Sequence, residues 1–158
     1  RRPESAGPLA ARLSDEDAGV RRLAIAALVR TWKPELTRSI VARLADDDWQ
    51  VRVEAATALG SAGASSAVPE LVGALRDPRW QVVKAAIGAL GALSATSSAP
   101  ELLALLASAT SDVRRAAAEA LGQLRAASAV GSLREILADP DVEVRKSAAR
   151  ALAAIEGS

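Results

Sequence analysis

The chain has 158 residues, with 20 Lys and Arg against 19 Asp and Glu, a net charge of +1, and half its residues apolar although only 2% are aromatic. It has no Cys and no His, which excludes a disulfide framework, thiolate zinc sites and the Ser-His-Asp and Cys-His catalytic pairs. Phe, Tyr and Met are also absent, so a core must be built from Ala, Leu, Val and Ile. A charge this close to zero lacks the electrostatic footprint of a nucleic-acid binder.

Residues 1–8 read as an N-terminal linker. From Leu9 onward the sequence repeats every 31 residues without insertion. Val20, Val51, Val82, Val113 and Val144 form one column, and Leu28, Leu59, Leu90, Leu121 and Leu152 another. Ala24, Ala55, Ala86, Ala117 and Ala148 form a third. The units are 9–39, 40–70, 71–101, 102–132 and a shorter 133–158. Each predicts a short helix, an Asp-rich turn and a longer helix.

In the first unit the turn is Asp15-Glu16-Asp17, and Trp32 before Pro34 reads as a plug in the following loop. In the second, Asp46-Asp47-Asp48 precedes a helix in which Val51, Ala55, Ala58 and Ala62 share a stripe at 100° per residue. Val53, Thr57 and Ser61 fall opposite. In the third, Asp77-Pro78 predicts a helix start, as Asp139-Pro140 does in the fifth. Ser98 and Glu101 have the spacing of a capping box opening the next short helix. The sparsely charged stretch from Ala85 to Ser111, which holds only Glu101, reads as two buried helices with a loop between them. Gly60, Gly91 and Gly122 recur inside the middle units, which predicts close backbone approach between neighbours. Ser147 and Arg150 suggest a polar terminal cap on the last unit.

Helix pairs this short cannot bury an apolar face alone. Stacking supplies the core, so the expected fold is an all-α solenoid. The segments Leu44-Ala45-Asp46-Asp47-Asp48-Trp49-Gln50-Val51-Arg52 and Leu137-Ala138-Asp139-Pro140-Asp141-Val142-Glu143-Val144-Arg145 resemble the HEAT repeat family, in its short bacterial form called phycobilisome-lyase-like. The pattern also looks like the consensus of artificial scaffolds of this family, although its irregular loops favour a natural chain. The resemblance implies a right-handed superhelix of five HEAT-like helix pairs.

It further implies a ladder between an Asp in the turn and an Arg six residues later. The expected pairs are Asp15 with Arg21, Asp46 with Arg52, and Asp139 with Arg145. Asp77 faces Val83 in that count, and Arg114 faces Ser108. A staggered ladder would instead offer Arg52 or Arg114 to Asp77. These residues are expected to serve stability.

The resemblance also places the second helices on the concave surface, where a partner segment is expected to bind. One column there is Arg22, Val53, Lys84, Arg115 and Lys146. The next contains Thr57, Gly88, Glu119 and Arg150. Trp49 and Trp80 open neighbouring helices, followed by Gln50 and Gln81. Two Trp flanked by amides near a cationic column suit an acidic, partly apolar peptide. The competing reading has both Trp covering joints and the cations facing water.

Some HEAT-like proteins are iron-dependent hydroxylases built on His-Glu pairs, and a chain without His excludes that activity. The acidic clusters at 15–17 and 46–48 have oxygens for a hard cation, but helix capping is the simpler role. No metal and no cofactor is expected, and no catalysis. The resulting expectation is a non-catalytic scaffold or adaptor for a protein or peptide partner. Two alternatives are a nucleic-acid binder using the cationic column and a bilin lyase subunit or chaperone. A segment of a larger protein is compatible with the first reading. The Ala-rich, Arg-over-Lys composition points to a GC-rich bacterial genome. No membrane association is expected, and the location expected is the cytoplasm.

Overall fold

The structure is a computed structural model that describes residues 7–157. Among these residues it is helical throughout, with no strand. Helix pairs follow one another as α1 (Gly7–Ala11) with α2 (Ala18–Val29), α3 (Thr37–Val41) with α4 (Trp49–Ser61), and α5 (Val68–Ala74) with α6 (Trp80–Ala92). The last two pairs are α7 (Ala99–Leu105) with α8 (Ser111–Gln123) and α9 (Val130–Glu135) with α10 (Val142–Glu156). The second helices pack successively as α2, α4, α6, α8 and α10, and each first helix packs on the second helix of its own unit. The molecule is an α-solenoid. Of the expected linker 1–8, residues 1–6 lie outside the described residues, while Gly7 and Pro8 belong to α1. The segment 85–111 contains the end of α6, a loop and α7. Among the described residues, no helix is long and apolar enough to cross a membrane.

Local chemistry sets the helix boundaries. Asp17, Asp48 and Asp141 have extended backbone, and each carboxylate accepts from the two amides that follow in α2, α4 and α10. These amides have no partner within their helix, which is why Asp is favoured there. The helix starts predicted at Asp77-Pro78 and Asp139-Pro140 fall two residues later. Arg79 and Asp141 occupy the capping positions, and each Pro lies in the turn between. The capping box at Ser98 does not form. Ser98 is itself in a helical conformation at the end of a 3₁₀ turn, so its hydroxyl cannot reach forward, and it donates to the Ala95 carbonyl at 2.6 Å. Pro100 instead sits in the first turn of α7, one residue after its start at Ala99.

The second helices α4, α6 and α8 end alike. Gly63, Ser94 and Arg125 each adopt a positive φ, of 67°, 52° and 49°. The next amide in each case reaches back to Leu59, Leu90 or Leu121. This is the left-handed helix ending that glycine adopts without strain. The first unit departs from it: Trp32 holds the equivalent place, half-buried and packed against the core.

Packing follows the columns. Ala55, Ala86, Ala117 and Ala148 are fully buried, as are Leu59, Leu90 and Leu121. Each such Leu contributes about 1.5–3 kcal/mol of apolar burial. Small residues let the helices approach closely. A β-carbon added at Gly60 would lie 2.7 Å from the Ala89 α-carbon, and one at Gly122 would lie 2.8 Å from that of Ala151. At Gly91 the encroaching atom is the Gln123 side-chain oxygen. Of the two residues that suggested a terminal cap, Arg150 is exposed but Ser147 is not. Ser147 is buried against the preceding unit, where its hydroxyl donates to Glu119 at 2.9 Å.

Candidate functional site

Two features lie on the second helices: a ladder of ion pairs along the turns and a groove between α4 and α6. The ladder is staggered. Arg21 donates through Nε and Nη2 to Asp46, Arg52 to Asp77 and Arg114 to Asp139, each pair 25 residues apart, at 2.7–3.1 Å. Within its own unit each Arg meets backbone rather than carboxylate. Nη1 of Arg21 donates to the Asp15 carbonyl, that of Arg52 to the Asp46 carbonyl and that of Arg145 to the Asp139 carbonyl. The in-unit side-chain pairs Asp15–Arg21, Asp46–Arg52 and Asp139–Arg145 are therefore corrected. The Asp carboxylate points along the stack and closes the turn by accepting from the amide two residues on, as Asp46 does from Asp48 and Asp139 from Asp141.

The electrostatics follow from these bonds. Hydrogen bonds from Arg114 hold the Asp139 carboxyl below its ordinary pKa, against a smaller opposing effect of burial. For Asp46 burial pushes upward most strongly, yet the bonds from Arg21 and from the Asp48 amide together keep its pKa lowered. Arg21 and Arg114 are correspondingly raised by the same bonds.

The groove has a volume of about 490 Å³. Val53, Thr57, Gly60 and Ser61 of α4 form one wall, and Trp80, Gln81, Lys84 and Gly88 of α6 form the other with three alanines. Trp80 is 39% exposed, and the Lys84 ammonium lies 5.9 Å from its ring centroid. A β-carbon added at Gly88 would meet nothing within 4 Å. Gly88 is thus an exposed part of the lining over which no side chain packs, unlike Gly60, where the Ala89 backbone fills the space.

Five expected surface residues, Val53, Thr57, Trp80, Gln81 and Lys84, come together in this groove. The others do not join it. Trp49 is half-buried beneath the Arg79 guanidinium, 5.9 Å from its ring centroid, and does not line the groove. Gln50 accepts from Arg22 at 3.0 Å. Glu119 and Arg150 line a separate depression with Ser147, of about 320 Å³. Arg115 lies beside Asp112 in a smaller one. The cationic column is not a row of unpaired charges. Asp112 pairs with Arg115 at 3.0 Å and with Lys84 at 3.8 Å, and Lys146 pairs with Glu143 at 2.8 Å. The acids sit at the starts of α8 and α10, where helix dipoles favour them.

Gly88 stood in one of the candidate columns without being given a role, and Ala85 was not singled out by the sequence. The available signal was a lone glycine in the column of Thr57 and Glu119, outside the recurring column of Gly60, Gly91 and Gly122.

A model of HEAT repeats matches residues 37–121 and 99–158. The chain belongs to the HEAT-repeat family. No curated protein sequence matches it significantly. Among solved structures it is similar to the complex of CpcE and CpcF of phycocyanin lyase from Nostoc sp. PCC7120, with 26% identity and a TM-score of 0.88. That alignment covers 100% of this chain and 67% of the other. An engineered protein aligns at 26% identity and a TM-score of 0.70, over 96% of this chain and 79% of its own. A designed armadillo repeat protein in complex with the peptide (KR)4 aligns at 23% identity and a TM-score of 0.71, over 95% and 81%, and shares the fold.

In this HEAT array the acidic turns are occupied by structural work. Asp46 serves the ladder and Asp48 caps α4. Asp15 closes its own turn and Asp17 caps α2. Among the described residues no cluster of three or more carboxylates is arranged to hold a metal ion.

Proposed function

We propose that this HEAT-repeat chain is a non-catalytic binding scaffold that holds a partner polypeptide segment in the groove between α4 and α6. The observation that carries this reading is a groove lined along α6 by the exposed Trp80 and by Gly88, over which no side chain packs. An apolar side chain of the partner enters over Gly88 and packs between Trp80 and Val53. Trp supplies large rigid contact area and is enriched among residues that dominate binding energies. Lys84 stands at the rim, half-exposed and only loosely held by Asp112, so an acidic group beside the apolar anchor finds a cation there. The paired state of Arg115 and Lys146 argues against a phosphate-tracking surface, because binding there first requires breaking local ion pairs.

Panning a random peptide library against the full chain tests this. Enriched peptides should carry a large apolar residue next to Asp or Glu. They should lose binding to Gly88→Arg and Trp80→Ala, and keep it with Gly73→Arg on the opposite layer. Enrichment that is indifferent to Gly88→Arg contradicts the proposal.

The alignment of this chain to 67% of a chain in a phycocyanin lyase complex supports a second reading, a lyase subunit or bilin chaperone. Here Trp80 would stack on a pyrrole ring and Lys84 would meet a propionate. Titrating free bilin into the protein distinguishes the two: a red shift and sharpening of the visible band, lost in Trp80→Ala, favours the lyase reading.

A further inference from the structure

We propose that the groove between α4 and α6 grips the main chain of its partner: Gln81 accepts the backbone N–H of the residue whose apolar side chain enters over Gly88. The proposal rests on the binding groove described above and supplies the polar contact that orients the segment within it.

A second register runs along the second helices, beside the ladder of Arg and Asp. In it a cation on one helix reaches an acceptor near the start of the next. Arg22 donates to Gln50 Oε1 at 3.0 Å, 28 residues on. Lys84 meets Asp112 at the same interval, and Arg115 shares a depression with Glu143. The joint between α4 and α6 breaks the series, because Val53 stands where the other helices carry a cation. Its counterpart Gln81 is left with a buried Oε1 that accepts no hydrogen bond among the described residues. Val53 and Gln81 both line the groove. The break in the register and the groove are therefore the same place.

A buried acceptor without a donor destabilises the free chain, and a ligand that brings the donor recovers the loss. The Thr57 hydroxyl in the same lining already gives its proton to the Val53 carbonyl at 2.9 Å. The chemistry of the site selects the kind of donor. Gln81 is neutral and Lys84 lies one turn further along α6, so a cationic donor would meet repulsion. The rest of the lining near it is apolar, with Val53, Trp80, Ala85 and Ala89, so the donor must arrive together with an apolar group. A polypeptide main chain combines the two, since each residue carries a neutral N–H beside its own side chain. The anchor N–H goes to Gln81, its side chain passes over Gly88 against Trp80, and a neighbouring acid reaches Lys84. Gln81 is only half-buried as a whole, so its amide turns toward the segment as it binds.

Ester substitution reads this contact, because it removes one main-chain N–H and keeps every side chain. The probe is a panned peptide whose binding to the full chain is lost in Gly88→Arg. Each of its amides is replaced in turn by an ester, and binding is followed by isothermal titration calorimetry. The ester at the large apolar residue should weaken binding to the wild-type chain by about tenfold and have no further effect on binding to Gln81→Leu. Gln81→Leu should itself weaken the all-amide peptide by about the same factor, yet melt no lower than wild type, because the free chain makes no bond to Oε1. Val53→Arg supplies the donor from within. It should raise the melting temperature more in the wild-type background than in Gln81→Leu, and weaken the peptide by about tenfold or more. A peptide with no ester-sensitive position, or an ester effect that persists undiminished in Gln81→Leu, overturns the proposal and leaves the groove standing. If no panned peptide responds to Gly88→Arg, the groove itself is refuted and the proposal with it.

Discussion

Val83 and Ser108 stand at the two ends of the one rung between neighbouring units, among the described residues, that is not filled by an Arg and an Asp. They are 25 residues apart, in the register of Arg52–Asp77 and Arg114–Asp139. Val83 is buried, and the Ser108 hydroxyl keeps only the turn-closing role of the missing carboxylate, accepting from the Thr110 amide at 3.2 Å. Both charges are absent from the same joint, so neither is left without its partner. Replacing a buried ion pair by apolar packing is often neutral, whereas removing one partner is costly.

That asymmetry predicts a double-mutant cycle. Val83→Arg alone buries a guanidinium without a carboxylate and should destabilise the chain by about 2–4 kcal/mol. Val83→Arg with Ser108→Asp should recover most of that loss. Urea denaturation of the four proteins measures the coupling, and additive effects would contradict the staggered register.

The ladder also sets the acid limb of stability. Bonds from Arg114 lower the Asp139 carboxyl, whose ordinary value is 3.8, and the carboxyl of Asp46 is lowered too. The unfolded chain therefore binds protons more readily than the folded one. The stabilisation is fully present above the ordinary carboxyl pKa and is lost as pH falls through the lower, folded value. Stability should be level above about pH 5 and decline below about pH 4. Asp139→Asn should be less stable at neutral pH and show a shallower decline in acid. Urea midpoints at a series of pH values check this.

Two glycines in similar helices should respond with opposite signs. Gly88→Ala adds a β-carbon in open space and improves helix propensity, so a gain of about 0.5–1 kcal/mol is expected. Gly60→Ala drives a β-carbon into the Ala89 backbone and should cost about 1–3 kcal/mol. Thermal melts of the two variants beside wild type decide it.

Ser94 and Arg125 hold the left-handed position that Gly63 fills in the preceding unit. Ser94→Gly and Arg125→Gly should each raise stability by about 0.5–1 kcal/mol, since the strain relieved exceeds the entropy glycine adds. A loss of stability in both would show that these side chains make contacts worth more than the strain.

The helix pairs and their stacking were legible because burial recurs with the sequence period: Ala55, Leu59 and their equivalents are fully buried. The ladder's partners were legible only in part: the staggered alternative already offered Arg52 to Asp77, as observed, but the other pairs were expected within one unit. A spacing of six residues joins Asp46 to Arg52 in sequence, but the carboxylate points toward the neighbouring unit, and the stacking geometry extends the 25-residue step from Asp77 to every filled rung. Ser98 misled for a related reason: the residue types of a capping box were present, but a preceding 3₁₀ turn removed the extended backbone that capping needs. On the candidate surface the columns gave no account of pairing across units. Arg22 turns to Gln50, and Lys84 shares Asp112 with Arg115, contacts 28 and three residues apart that a column read alone cannot display. The open space at Gly88 showed in the sequence only as a lone glycine in the column of Thr57 and Glu119, and a column does not tell whether a neighbouring unit fills that space.

The most direct test is to titrate a panned peptide into ¹⁵N-labelled protein and map the amide shifts. The account predicts that the largest changes cluster on Val53, Thr57, Trp80, Lys84 and Gly88, and that Gly88→Arg weakens binding by about tenfold or more, which corresponds to at least about 1.4 kcal/mol. Shifts centred on the first helices α5 and α7, with affinity unchanged by Gly88→Arg, would contradict it.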